Sequence, residues 1–111
     1  MVKQGDIIKL NFNPQSGHEQ AGLRFAVVIS NDFFNEKVNT TIVCPITNTN
    51  RSFPLHVVLD ERTATTGVVL CEHIKAIDLE GRPYQYVESI PEDLLEEIIS
   101  TVYSEIEKPE Y

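Results

Sequence analysis

The sequence predicts a mainly β fold closed by a C-terminal helix, on three observations. Asp6–Phe12 (DIIKLNF) alternates, with Ile8, Leu10 and Phe12 on one side and Lys9 and Asn11 on the other, the period of a half-buried strand. Short runs rich in β-branched residues then recur between turn-forming stretches, as in a small barrel or a strongly curved sheet. After Pro91 the apolar period lengthens: Leu94, Leu95, Ile98, Ile99, Val102 and Ile106 share one face of a helix.

Taken in order, Asn13–Gly22 holds Pro14, Gly17 and Gly22 and reads as a loop, long for so small a domain and therefore a candidate for function. Phe25–Ser30 (FAVVIS) is apolar throughout, as a central strand buried on both faces is. Asn31–Lys37 suits a short helical turn capped by Asn31 or Asp32. Thr40–Thr47 (TTIVCPIT) is a further strand, in which Pro45 lacks a ladder donor and favours an edge or a bulge. Thr47–Pro54 is a polar loop; Leu55–Asp60 and Gly67–Cys71 are two more strands, and the alternation in Glu72–Asp78 predicts another. Ser89-Ile90-Pro91-Glu92-Asp93 starts the helix, with Ser89 or Ile90 near the cap, Pro91 in the first turn and two acids where the helix dipole favours them.

The chain of 111 residues is short enough to be one domain, residues 1–111, and small enough that dimerisation would add useful burial. It shows neither a long apolar run nor a signal-peptide pattern, so a cytoplasmic protein with no membrane association is expected. Cys44 and Cys71 have no metal-ligand spacing and read as reduced, buried thiols. Walker, dinucleotide and nucleophile-elbow motifs are absent, and no metal or other cofactor is expected. The net charge of −8 argues at first against a nucleic-acid partner. Residues 88–111, however, carry eight acids and one base, leaving nine acids and eight bases in residues 1–87. The acidity is that of a solvated helix face, with Glu92, Glu96, Glu97 and Glu105 toward water, and a local basic site on the body remains open.

Arg24 stands between the glycine-punctuated loop and the FAVVIS strand. Its guanidinium is no base at neutral pH but offers a rigid fork of donors that fits a phosphate. Position alone leaves two readings, an anion contact or an ion pair with a carboxylate such as Glu19. His56 and His73, within strand patterns, read as structural histidines, whereas His18 lies in the long loop where a near-neutral pKa suits proton transfer.

The stretch GDIIKLNFNPQSGHEQAGLRFAVVIS resembles the N-terminal signature of the MazF/PemK toxins, carried here by Gly5, Asp6, Pro14, Gly17, Glu19, Gln20, Gly22 and Arg24. The likeness runs on through Ile46-Thr47 and through Leu70–Asp78 to the final helix. It implies an SH3-like small barrel of the CcdB/PemK/MazF type with a C-terminal helix (α+β), assembled as a homodimer. It also implies metal-independent, sequence-specific cleavage of single-stranded RNA, leaving a 2′,3′-cyclic phosphate and a 5′-hydroxyl, and neutralisation by a MazE/PemI-like antitoxin. The family's catalytic arginine and threonine fall on Arg24 and Thr47, with Glu19 as base or as the group that orients Arg24. Gln20 and His18 are expected RNA contacts; Arg51 and Lys75 would meet phosphates, and Asn48, Asn50 and Phe53 offer base-edge hydrogen bonds and stacking. Three positions depart from the pattern: Phe25 replaces the usual proline, His18 stands where several relatives have serine, and Leu23 stands where some have histidine. The alternatives are a CcdB-type gyrase-binding toxin, which would not need Arg24 and Thr47 together, and a noncatalytic SH3-like interaction module, for which the missing proline at Phe25 is the only support.

Overall fold

The computed structural model describes residues 1–12, 22–49 and 53–110. Among these residues seven strands form one antiparallel sheet: β1 (Asp6–Asn11), β2 (Leu23–Val28), β3 (Thr41–Thr47), β4 (His56–Val58), β5 (Val68–Leu70), β6 (Lys75–Ile77) and β7 (Tyr84–Ser89). The hydrogen-bonded order is β4-β5-β3-β2-β1-β7, with β6 also on β3. The sheet therefore ends at β4 and β7 and is not closed into a barrel by its ladders. Helix α1 (Asp32–Lys37) joins β2 to β3, and α2 (Glu92–Ile106) follows β7.

Alternation along the inner strands feeds two cores. Ile7, Val27, Cys44, Ile46 and Val69 pack with Leu94, Leu95, Ile98 and Val102 of α2. Their neighbours Ile8, Leu10, Ala26, Val28 and Val43 pack with Val2, Phe12 and Ile77. β1 is thus buried on both faces at Ile7–Ile8 rather than half-buried, because α2 covers the face that the alternation left to solvent. Each fully buried Ile or Val contributes roughly 1.5–3 kcal/mol of transfer free energy, so α2 and β1 fix one another. The helix lies with Glu92, Glu96, Glu97 and Glu105 directed away from the core, as its period requires. Ile106 differs from the expectation: it is exposed, because the last turn runs past the sheet after Val102. Pro91 is the residue that caps α2, while Ser89 still belongs to β7.

Three differences from the expected elements have simple causes. Glu72–Asp78 is not one strand. A 3-10 turn, Cys71–His73, precedes β6, and the pairs Ile46↔Val69 and Val43↔Lys75 match three steps of β3 with six on the opposing chain. The three extra residues form that turn, with Cys71 drawn into the core. Pro45 sits in an interior strand, not at an edge, opposite Ala26. On the other side of β3 it falls in the gap between the β5 and β6 ladders, where a missing donor costs least. β7 has no counterpart among the expected strands, since Tyr84, Gln85 and Tyr86 are all exposed and give no buried period. Asn31 does cap α1, its side chain accepting the Phe34 N–H at 2.8 Å.

Candidate active site

Arg24 owes its place to the way β2 begins. Gly22 has φ +94°, a region open to glycine, and its carbonyl accepts the Phe12 N–H at 3.1 Å. That bond closes the β1–β2 pair just before the ladder runs Asn11↔Leu23, Leu10↔Arg24, Lys9↔Phe25. On its other side β2 pairs with β3 as Phe25↔Ile46. One step further in the same register sets Arg24 across from Thr47, the last residue of β3. The two residues singled out from opposite halves of the sequence thereby meet at one end of the sheet.

They line an open cleft of about 470 Å³ with Leu23, Phe25, Ile46, Asn48 and Thr49. Arg24 is half-buried, and among the described residues its side chain forms no ion pair or hydrogen bond. Its charge is uncompensated there, and its donors are available to an anion. Thr47 is 9 % exposed, and its Oγ1 accepts the Thr49 N–H at 3.2 Å. An oxygen that accepts from the backbone keeps its own hydrogen to donate, so the hydroxyl of this cleft residue can still act as a donor.

Thr47 is also held from behind. Gly67 has φ +121°, and a Cβ there would collide with the Thr47 carbonyl oxygen and lie 3.2 Å from Asn48 Oδ1. The Thr66 hydroxyl donates to that same Oδ1 at 2.9 Å, which leaves the Asn48 amide nitrogen without a hydrogen-bond acceptor among the described residues. The preceding loop is clamped in turn: the Glu88 carboxylate accepts the Thr65 N–H and hydroxyl, both at 2.7 Å, and the Ala64 N–H at 3.1 Å. Those bonds hold the Glu88 carboxyl below the usual carboxylate range, the Thr65 hydroxyl contributing most. Gly67, Thr66 and Glu88 are supporting residues that the sequence pattern does not single out; a glycine ahead of an apolar strand is the only signal it offers.

Of the other expected contacts, Asn48 lines the cleft. Lys75 does not: it pairs with Val43, four residues along β3 from Thr47, or roughly 13 Å at strand rise. Phe53 stacks edge-on against His56, 5.2 Å between centroids, and is not one of the residues that line the cleft. His18, Glu19, Gln20, Asn50 and Arg51 lie outside the described residues. His56 behaves as a structural histidine, almost wholly buried, with Nε2 2.9 Å from Glu72 Oε2. Burial by itself would raise Glu72, but that bond and its backbone contacts bring its carboxyl below the ordinary value.

Comparison with known proteins gives the same picture. Residues 3–104 match the family model described as PemK-like, MazF-like toxin of type II toxin–antitoxin system. The chain is 31% identical over 102 residues to the endoribonuclease PemK of Escherichia coli, covering 88% of this chain and 77% of that protein. It is 37% identical over 78 residues to the endoribonuclease toxin MazF of Escherichia coli K12, covering 70% and 69%. Among solved structures, MazF of Deinococcus radiodurans superimposes with a TM-score of 0.86 at 32% identity over 95% of this chain and 96% of that one. A MazE–MazF complex from the same organism gives 0.83 at 32% identity, with 95% of each chain covered. With its strands, final helix and arginine–threonine cleft in one frame, and a family match spanning nearly its whole length, this chain belongs to the PemK-like, MazF-like toxins of type II toxin–antitoxin systems.

Proposed function

We propose that the chain is a sequence-specific, metal-independent endoribonuclease that cleaves single-stranded RNA at the Arg24–Thr47 cleft. The observation that carries this reading is a guanidinium with no ion pair among the described residues lining one cleft with the Thr47 hydroxyl; relatives named endoribonucleases support it. In the reaction the ribose 2′-oxygen attacks the adjacent phosphorus, the bond to the 5′-oxygen breaks, and a 2′,3′-cyclic phosphate and a 5′-hydroxyl result. Charge grows on the nonbridging oxygens as the phosphorus becomes five-coordinate. Arg24 stabilises that charge with fixed donors, and Thr47 donates to one nonbridging oxygen, both in place before the charge develops. Glu19 removes the 2′ proton or orients Arg24, and Gln20 and His18 contact the RNA. Asn48, whose amide nitrogen has no acceptor among the described residues, reads an acceptor on a neighbouring base.

The assembly belongs to the same proposal. The protein acts as a cytoplasmic homodimer and is silenced by a MazE/PemI-like antitoxin, an inference supported by the structural likeness to MazF in complex with MazE. An acidic antitoxin segment would compete with RNA for Arg24. The test is to incubate the purified protein with a defined RNA in EDTA and map both new ends. Cyclic phosphate and 5′-hydroxyl ends, lost in Arg24→Ala and Thr47→Ala, are expected. Intact RNA over many sequences, or full activity in Arg24→Ala, would overturn the assignment.

A further inference from the structure

We infer a second phosphate-binding subsite beside the cleft, formed by Lys9 and Arg82 and taking the backbone of a nucleotide that flanks the cleaved bond. The inference rests on the reading of the cleft as an RNA site, and it concerns residues that this reading does not use. Lys9 lies opposite Phe25 in the β1–β2 register, and its Nζ sits 5.4 Å from the centre of the Phe25 ring. Phe25 is itself part of the cleft wall, so the ammonium rests against a residue of that wall from the neighbouring strand. Two residues further along β1, the Asn11 carbonyl accepts a hydrogen bond from Arg82 Nη1 at 2.9 Å. Asn11 in turn faces Leu23, another residue of the wall.

Both cations are held by neutral groups. A ring face and a backbone carbonyl orient a positive charge without cancelling it, and among the described residues neither Lys9 nor Arg82 forms an ion pair with a carboxylate. Both side chains are only partly exposed, so less ordering remains to be done when a ligand arrives. Arg24, Lys9 on the opposite face of the β1–β2 pair, and Arg82 at the Asn11 carbonyl thus gather at one end of β2 and β1 with no ion pair among the described residues, in a chain whose net charge is −8. An isolated small anion would need only Arg24; cations distributed over neighbouring strands match a polyanion whose phosphates repeat along a chain.

The experiment measures binding of a short, fluorescein-labelled, mixed-sequence oligonucleotide, 2′-O-methylated throughout so that it cannot be cleaved, over a salt series. Removing one phosphate-neutralising cation lowers the slope of log K against log salt by about 0.7 for a single strand. Lys9→Gln and Arg82→Gln should each lower it by about that amount, the double variant by about twice as much, and Lys9→Arg by nothing. Thermal melting of each variant shows that the fold is retained, and a change in surface packing alone would not alter the slope. Unchanged slopes in both Gln variants, with wild-type binding intact, would overturn the subsite and leave the cleft reading standing. Failure of the wild type to bind the oligonucleotide would remove both. Unchanged RNA slopes with weakened binding of an oligoglutamate peptide would assign the pair to an acidic protein partner and likewise overturn the proposal.

Discussion

Arg62 and Arg24 carry the same side chain into opposite settings. Arg62, in the loop before β5, forks onto two carboxylates: Nη2 and Nε reach Asp60 at 2.8 and 3.1 Å, and Nη1 and Nη2 reach Asp93 at 2.8 and 2.9 Å. It ties that loop to the first turn of α2, and its hydrogen bonds hold the Asp60 and Asp93 carboxyls below their ordinary range. Arg24 has no such partner among the described residues and faces an open cleft. The difference teaches where to look in an acidic protein: the informative cation is the one whose surroundings fix its position and leave its charge unanswered.

Exchanging the two arginines' fates gives the largest expected effect. Arg24→Ala should lower RNA cleavage by about 10²–10³-fold or more, the range for removing one preorganised transition-state donor, with melting temperature nearly unchanged. Arg62→Ala should leave cleavage intact and reduce thermal stability slightly, since both it and its partners are solvent-facing. Single-turnover rates and melting curves on the two variants check the contrast. Equal loss of activity in both would dissolve it.

The next effect comes from behind the cleft. Gly67→Ala must either push the Thr47 carbonyl away or give up φ +121°, and a displacement on the order of 1 Å at a reacting group costs about 10²-fold. A fall in kcat with KM little changed is expected, because the hydroxyl of Thr47 acts on the charge of the transition state. Thr66→Val, which removes only the hydroxyl held to Asn48, should raise KM and spare kcat. A Gly67→Ala enzyme with wild-type kcat would show that this close approach positions nothing.

Arg24 was singled out in the sequence by its place at the threshold of an apolar strand, which left an anion contact and an ion pair both open, and Thr47 by the family resemblance. Their juxtaposition was not legible, because it depends on the β2–β3 register, which is set by Phe25↔Ile46 and its neighbours and leaves no mark on either segment alone. The strand order was legible in part for the same reason. Runs buried on both faces, such as Phe25–Ser30, announced themselves, whereas β7 presents Tyr84, Gln85 and Tyr86 to solvent and takes its strand conformation from β1. The three-residue slip between the β5 and β6 ladders was hidden because Glu72–Asp78 alternates well enough to pass for one strand. Lys9 shows the limit from the other side: the alternation correctly placed it off the Ile8–Leu10 face, but only the register puts its ammonium over Phe25.

The clamp at Glu88 supplies an acid-dependent comparison with the cleft. Its carboxyl lies below the ordinary 4.5 in the folded chain, so the unfolded state binds the proton more tightly. The stability it confers is fully present above about pH 4.5 and is lost as pH falls through the lower folded value. Glu88→Gln should cost about 1–2 kcal/mol at neutral pH, the low end of the scale of hydrogen bonds to a charged group because the carboxylate is partly solvated, and should flatten the acid limb of the stability profile. Denaturant melts between about pH 3 and 7 check both features; an acid limb of unchanged steepness would mean that the carboxylate's charge adds nothing to the clamp.

The smallest effect is an expected lack of reaction, and it separates the core from the cleft by chemistry. Cys44 and Cys71 are both fully buried in the α2-side core, and the Cys71 thiol beside it, together with burial, pushes the Cys44 thiol well above its ordinary range. The thiolate is the reactive species, so the scarcity of that ion at Cys44 and the burial of both thiols oppose modification. Iodoacetamide at neutral pH should leave both cysteines unlabelled in the native protein and label them at the rate of global unfolding. A β3 that opened locally during turnover would expose Cys44, three residues from Thr47 on the same strand. Labelling that quickened on addition of RNA would therefore show that the cleft works by opening its own strand, and labelling that stayed slow would show that Thr47 acts from a rigid β3.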